Sequence, residues 1–311
     1  MPREVQAELP PNEKERLLTI LENYGRERWL AGWKEHVAIP ENIEPDEGES
    51  RENLLRYALL RVLINQQARV EKVRELCRRL AETFGEELYY RPHLIPEIEL
   101  FRVFKEVAGE RGSELYRVGR LGGIKPISLF AYRFKAYEGF IRWLGGRKLF
   151  SEFHTILKQN GVQTLFKFLS DHPVLEAGWV GNDPKACRMF VDWVVFFFIE
   201  LWDLRVCSLG DTLMIVDGHV GKVFCRTGLI GEVVYEKRRP FIIEASKMRA
   251  KIESLVKSYG KIPFYVDNGA FYIFEDGFCL EENPNCGSCP VEKICMKYTK
   301  WTAYRESKGQ L

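Results

Sequence analysis

Residues 278–295 read Phe278-Cys279-Leu280-Glu281-Glu282-Asn283-Pro284-Asn285-Cys286-Gly287-Ser288-Cys289-Pro290-Val291-Glu292-Lys293-Ile294-Cys295, so four cysteines are separated by six, two and five residues. Thiolates are soft ligands, and four on one short loop can wrap a compact centre, either an iron–sulfur cluster or zinc. Structural zinc more often sits between two tight Cys-x2-Cys knuckles, and here only Cys286 and Cys289 are that close. The other four cysteines, Cys77, Cys187, Cys207 and Cys225, are scattered among apolar neighbours and read as small core residues. The first sixteen residues, MPREVQAELPPNEKER, are charged and have no apolar core. They carry no export signal, so a cytoplasmic protein with reduced thiols is expected.

Outward from this loop the pattern is helical. Residues 12–35 place apolar side chains at helical spacing behind Pro11 and Asn12, and Ile39 to Arg51 reads as an extended, acidic linker. Leu54, Leu55, Ala58, Leu59, Val62 and Leu63 mark a further helix, interrupted by Asn65-Gln66-Gln67 and followed by another over Val70 to Phe84. Helical character returns at Glu97 to Ala108, Ser128 to Trp143 and Phe153 to Leu169. Pro184 to Asp203 reads as one long helix, apolar on nearly every side and therefore central to a fold. A loop over 204–216 precedes a helix from Gly218 to Cys225, and only Phe264 to Phe274 suggests a strand. The expected class is all-α. The most apolar run, Val191 to Leu201, is too short and too interrupted by acids to span a bilayer, so no membrane partner is expected.

The formal net charge is only +2, which by itself names no partner. Basic residues nevertheless gather at Arg69 to Arg79, Lys237 to Arg239, Lys247 to Lys261 and around Lys293, Lys297 and Lys300. A stripe of such segments can follow phosphates, although each run singly reads as a solvated helix face.

Two further positions attract chemistry. Asp217 stands where a helix N-cap belongs, a role that needs no catalysis. Lys185 opens the long apolar helix, where the positive end of the helix dipole and an apolar wall would disfavour its ammonium form. A neutral amine is what nucleophilic attack requires.

The cysteine spacing resembles the iron–sulfur loop of endonuclease III and the related adenine glycosylases. Val216-Asp217-Gly218-His219-Val220-Gly221-Lys222-Val223, with Arg226-Thr227-Gly228 after it, is similar to the V-D-T-H-V…R-T-G segment of the same helix-hairpin-helix glycosylase superfamily. The resemblance implies a [4Fe–4S] cluster on Cys279, Cys286, Cys289 and Cys295, a catalytic carboxylate at Asp217, and DNA-backbone contacts from Lys293 and Lys297. Leu63-Ile64-Asn65-Gln66-Gln67-Ala68 resembles the segment whose glutamine fills the gap left by an extruded base, with Gln67 the better fit and Gln66 the near alternative. Phe134-Lys135-Ala136 resembles the superfamily's F-Y-x-x-K-A helix. The hairpin falls at Gly178-Trp179-Val180-Gly181-Asn182-Asp183-Pro184-Lys185-Ala186, with Gly178 and Gly181 at the DNA. Its spacing departs from endonuclease III and looks more like the archaeal 8-oxoguanine DNA glycosylases, whose catalytic lysine would be Lys185.

Together these resemblances imply a two-domain, endonuclease III-like helical fold. Residues 53–203 would form the helical domain with the hairpin, and residues 1–52 with 204–311 the cluster domain. The implied activity is base excision with abasic-site lyase chemistry on double-stranded DNA carrying a damaged base or abasic site, by a monomer. An oxidised purine such as 8-oxoguanine is the first substrate candidate. Oxidised pyrimidine excision, a monofunctional glycosylase and a non-catalytic iron–sulfur DNA-binding protein are the alternatives.

Overall fold

The computed structural model describes residues 3–41, 43–45, 48–116, 123–180, 184–234, 243–280 and 283–298. In chain order the helices are α1 (Pro11–Val37), α2 (Gly48–Ile64), α3 (Val70–Phe84), α4 (Glu86–Tyr90), α5 (Glu97–Ala108) and α6 (Pro126–Leu144). They continue as α7 (Leu149–Gln159), α8 (Val162–Ser170), α9 (Lys185–Phe196), α10 (Gly218–Arg226), α11 (Ala245–Ser258) and α12 (Pro263–Glu275). Helix makes up 66% of the chain, and among the described residues the strand is one short antiparallel pair, β1 (Arg3–Val5) with β2 (Glu232–Val234). The fold class is all-α. Among the described residues no helix is long and apolar enough to cross a membrane.

Three expectations change, the smallest being that α2 already begins at Gly48, within the stretch expected to be a linker as far as Arg51. The apolar run after Pro184 is not one α-helix: α9 ends at Phe196 and Phe197–Leu201 is a π-helical turn. Phe196, Phe197 and Phe198 are all buried, so consecutive aromatic side chains are accommodated by widening the helix rather than by turning one of them to solvent. Phe264 to Phe274, read as a possible strand, lies within α12. Pro263 starts that helix, and ten of its residues are buried, including Pro263 to Ala270 without a break. Burial on more than one face erased the helical periodicity that would have marked it.

The chain divides into two compact units, Met1–Gly32 with Leu209–Leu311, and Trp33–Ser208. In the first, Leu17, Leu18 and Leu21 of α1 share a core with Val220, Val223 and Phe224 of α10, Ile252 and Val256 of α11, and Val266, Ala270 and Ile273 of α12. The approach of α1 to α12 depends on two glycines. A Cβ on Gly25 would run into the Tyr265 carbonyl oxygen, and one on Gly269 into the Leu21 carbonyl oxygen.

In the second unit α2 is the central helix, and each of its residues from Leu54 to Ile64 is buried. Three charged side chains go in with it, Glu52, Arg56 and Arg61, and the first two form a pair. Glu52 pairs with Arg56 at 2.5 Å and also accepts the Leu149 and Phe150 amides, each at 2.9 Å, so it caps α7. Arg56 donates onward to the carbonyls of Tyr89 (2.7 Å) and Arg147 (3.2 Å). A buried ion pair is tolerated when its remaining valences are met in this way.

Candidate functional site

In the second unit, the turn between α2 and α3 and the segment before α9 are tied by one side chain. Gln66, 9% exposed, donates its Nε2 to the carbonyls of Leu63 (3.0 Å) and Gly178 (2.7 Å), while its Oε1 accepts the Val180 amide (2.8 Å). Its amide is thus committed to backbone. The neighbouring Gln67 is exposed and adopts φ +62°, a left-handed conformation uncommon for a residue other than glycine. Arg133, 1% exposed on α6, holds this turn. Its Nη1 donates to the carbonyls of Ile64 (3.1 Å) and Gln66, and its Nη2 reaches Gln67 Oε1 at 3.4 Å. Burial lowers the Arg133 pKa, and the Tyr116 ring lies 5.2 Å from its guanidinium. The sequence reading passed over Arg133, whose only signal is an arginine set between Phe130, Phe134 and Tyr137 on the buried face of α6.

Gly178 is buried, and a Cβ there would meet Ala136 Cβ at 2.8 Å and Leu63 Cδ2 at 3.0 Å. Close packing explains this glycine without invoking a ligand. Trp179 anchors the same segment by donating its indole N–H to the Leu169 carbonyl at the end of α8 (3.0 Å). Gly181, with Asn182 and Asp183, lies outside the described residues. Lys185 is the first residue of α9, directly after Pro184, and its side chain is exposed rather than walled by apolar neighbours.

In the first unit, Asp217 is the N-cap of α10. Its Oδ1 accepts the amides of His219 (2.9 Å) and Val220 (3.0 Å). His219 stacks on Phe274 with ring centroids 3.7 Å apart, consistent with a structural side chain. The strand of chain entering the cap is held by Asp267 of α12, 3% exposed, whose Oδ2 accepts the Ile215 amide at 2.6 Å. Sequence reasoning missed Asp267 because α12 was read as a possible strand.

Nine residues after Asp217, α10 ends at Arg226, which is 6% exposed. Its Nη1 donates to the carbonyls of Cys279 (2.9 Å) and Leu280 (2.8 Å) and lies 3.5 Å from Cys279 Sγ. Its own carbonyl lies 3.7 Å from Cys295 Sγ. Thr227 and Arg226 accept the amides of Met296 and Tyr298, and Gly228, at φ +81°, packs against the Met296 side chain. The R-T-G segment is therefore the seat of the cysteine loop. Val291 and Ile294 anchor that loop in the core, against which Cys279, Cys289 and Cys295 also pack.

Two of the four thiols are shifted upward. Burial first, and then the charges of Cys279, Cys295 and Cys286, push the Cys289 thiol up to about 11, against the Val291 amide bond that lowers it. Cys295 is raised by burial in the same way. Among the described residues no group of three or more His, Cys, Asp or Glu is gathered so as to hold a single metal ion. Four thiols are a donor set of the kind a four-iron cluster uses, and two buried Arg226 nitrogens, Nε and Nη2, lack hydrogen-bond partners among the described residues and would donate to its sulfur.

Lys293 and Lys297 are both exposed beside this loop, and Lys297 pairs with Glu292 at 3.2 Å. Lys237 to Arg239 and Lys300 lie outside the described residues. No family model matches this chain, and no curated protein matches it either.

Proposed function

We propose that the protein is a DNA base-excision repair glycosylase with abasic-site lyase activity, carrying a [4Fe–4S] cluster on Cys279, Cys286, Cys289 and Cys295. What supports this reading above all is the course of α10. Two motifs that resemble the same superfamily for separate reasons, the Asp217 segment and the cysteine loop, are joined by this one helix, capped by Asp217 and seated on the loop through Arg226. A bound cluster would supply the cross-link between the four positions of the loop, and with it a fixed setting for Lys293 and Lys297 beside the DNA backbone.

A base inside a duplex must be turned out before a side chain can reach its sugar. Exposed Gln67 is the group that fills the vacated place, whereas Gln66 holds the turn behind it. Lys185 Nζ attacks C1′, the C1′–N bond breaks, and the base departs with the bonding electrons. The carboxylate of Asp217 stabilises the positive charge that builds on the sugar, and the proton that exposed Lys185 releases passes to water. Opening of the sugar ring gives a Schiff base between Nζ and C1′. Loss of a C2′ proton then expels the 3′ phosphate. For substrate we favour an oxidised purine, 8-oxoguanine first, on the likeness of the hairpin spacing.

Borohydride reduction on abasic DNA tests the reading. The wild-type chain should give a covalent adduct that Lys185→Gln abolishes with DNA binding intact. Asp217→Asn should keep its fold, since Asn caps nearly as well as Asp, yet lose base excision about 10²–10³-fold. Undiminished trapping in Lys185→Gln would remove Lys185 from the reaction.

A further inference from the structure

A groove of about 400 Å³ in the second unit has no part in the excision chemistry proposed above, although its Lys135 lies in the Phe134-Lys135-Ala136 segment. Glu97 and Phe101, one turn apart on α5, form one wall, and Ile127, Ser128, Ala131, Tyr132 and Lys135 of α6 form the other. The two helices are joined by Phe104 stacked on Phe130, with centroids 4.6 Å apart, and Phe101 meets the same ring edge-on. Tyr132 is 54% exposed although it belongs to an apolar wall, and Ile98 and Ile124 add exposed apolar surface on the same two elements and their connection. Soluble proteins seldom leave such surface clustered without a use.

The chemistry of the lining is mixed in a particular way. Two aromatic side chains offer stacking surface, one ammonium offers an anion contact, and one carboxylate accepts amino hydrogens. Tyr132 and Lys135 are three residues apart on one helix, so both act on the same side of the groove. An aromatic heterocycle bearing amino groups and a phosphate answers all three features, whereas an aliphatic ligand would leave both charges without a role.

We propose that the groove between α5 and α6 binds one unstacked nucleotide, its base lying on Phe101 and Tyr132, its phosphate at Lys135 and its amino group at Glu97. Thymine, which lacks an exocyclic amino group, is bound less well than cytosine. Under the repair reading this nucleotide belongs to the DNA strand near the lesion; the binding itself does not depend on that reading.

Fluorescence anisotropy of the full chain with labelled eight-nucleotide oligodeoxycytidylate and oligothymidylate tests the assignment. Tyr132→Ala should weaken the cytidylate strand about tenfold, and Lys135→Ala should weaken it and flatten its salt dependence by about one unit of slope or slightly less. Glu97→Gln should abolish the preference for cytidylate over thymidylate. Competition by millimolar deoxycytidine monophosphate would assign the groove to a free nucleotide, and its failure to compete would assign the groove to a strand. Unchanged strand affinity in both Tyr132→Ala and Lys135→Ala overturns the proposal and leaves the groove to a protein partner. The assay scores binding of an undamaged single strand and no base release, which keeps a failure of the excision reading distinct from a failure of this one.

Discussion

Gln66 and Gln67 are adjacent, chemically identical and oppositely used. The amide of Gln66 meets two carbonyls and one N–H in a buried setting, so Leu63, Gly178 and Val180 are held by one side chain. Gln66→Leu removes all three bonds and leaves those backbone groups without partners. Each such group costs about 1–3 kcal/mol where water cannot replace the bond, and partial relaxation should leave a net loss of about 2–3 kcal/mol in urea unfolding. Gln67→Leu keeps the fold, because that side chain is exposed and makes only the 3.4 Å contact to Arg133. The variant pair therefore separates stability from activity. Gln66→Leu should shift the unfolding midpoint, and, under the proposed function, Gln67→Leu should lower turnover on duplex DNA with the midpoint nearly unchanged.

Helix α1 contains two glycines with opposite physical standing. Gly25 faces α12 so closely that any Cβ would strike the Tyr265 carbonyl, and Gly32 has nothing within 4 Å of where a Cβ would stand. Backbone cannot yield as a flexible side chain can, so Gly25→Ala should cost about 3 kcal/mol or more by forcing the helices apart. Gly32→Ala should instead gain about 0.5–1 kcal/mol, the ordinary benefit of replacing glycine inside a helix. Thermal melts of the two variants give opposite signs if the crossing is as described. Equal and small shifts would show that α1 and α12 do not meet at this point.

Over the whole molecule, the chain forms two compact units, and the cysteine loop packs on the core of one of them. The loop is anchored by Val291 and Ile294 and by the bonds of Arg226 and Thr227, which is little for a segment with so many exposed positions. Under the proposed function a cluster adds the missing cross-link. Extraction of iron by a chelator under mild oxidation should then raise amide hydrogen exchange across residues 279–298 and at the end of α10. Exchange in α2, α3 and α6 should change less, because those helices belong to the other unit. Anaerobically purified protein should carry about four iron and four sulfide per chain. Stoichiometric zinc without sulfide would assign the loop to the other soft-ligand centre.

The sequence alone determined most of the helices, because local periodicity and caps act within a few residues. Val70–Phe84 and Glu97–Ala108 were legible to the residue, and Asp217 was legible as a cap from its place before an apolar turn. Helix α12 was not legible, since burial on more than one face removes the alternation that distinguishes helix from strand. Nor could sequence tell why Gly178 and Gly25 are glycines, which turns on backbone and side chains more than forty residues away. Tertiary structure alone buried Gln66 and left Gln67 exposed, placed Arg133 under their turn, brought Asp267 to the segment entering the Asp217 cap, and set Arg226 against Cys279. Each of these is a hydrogen bond between distant positions, and its existence depends on how helices cross, which no run of neighbouring residues encodes.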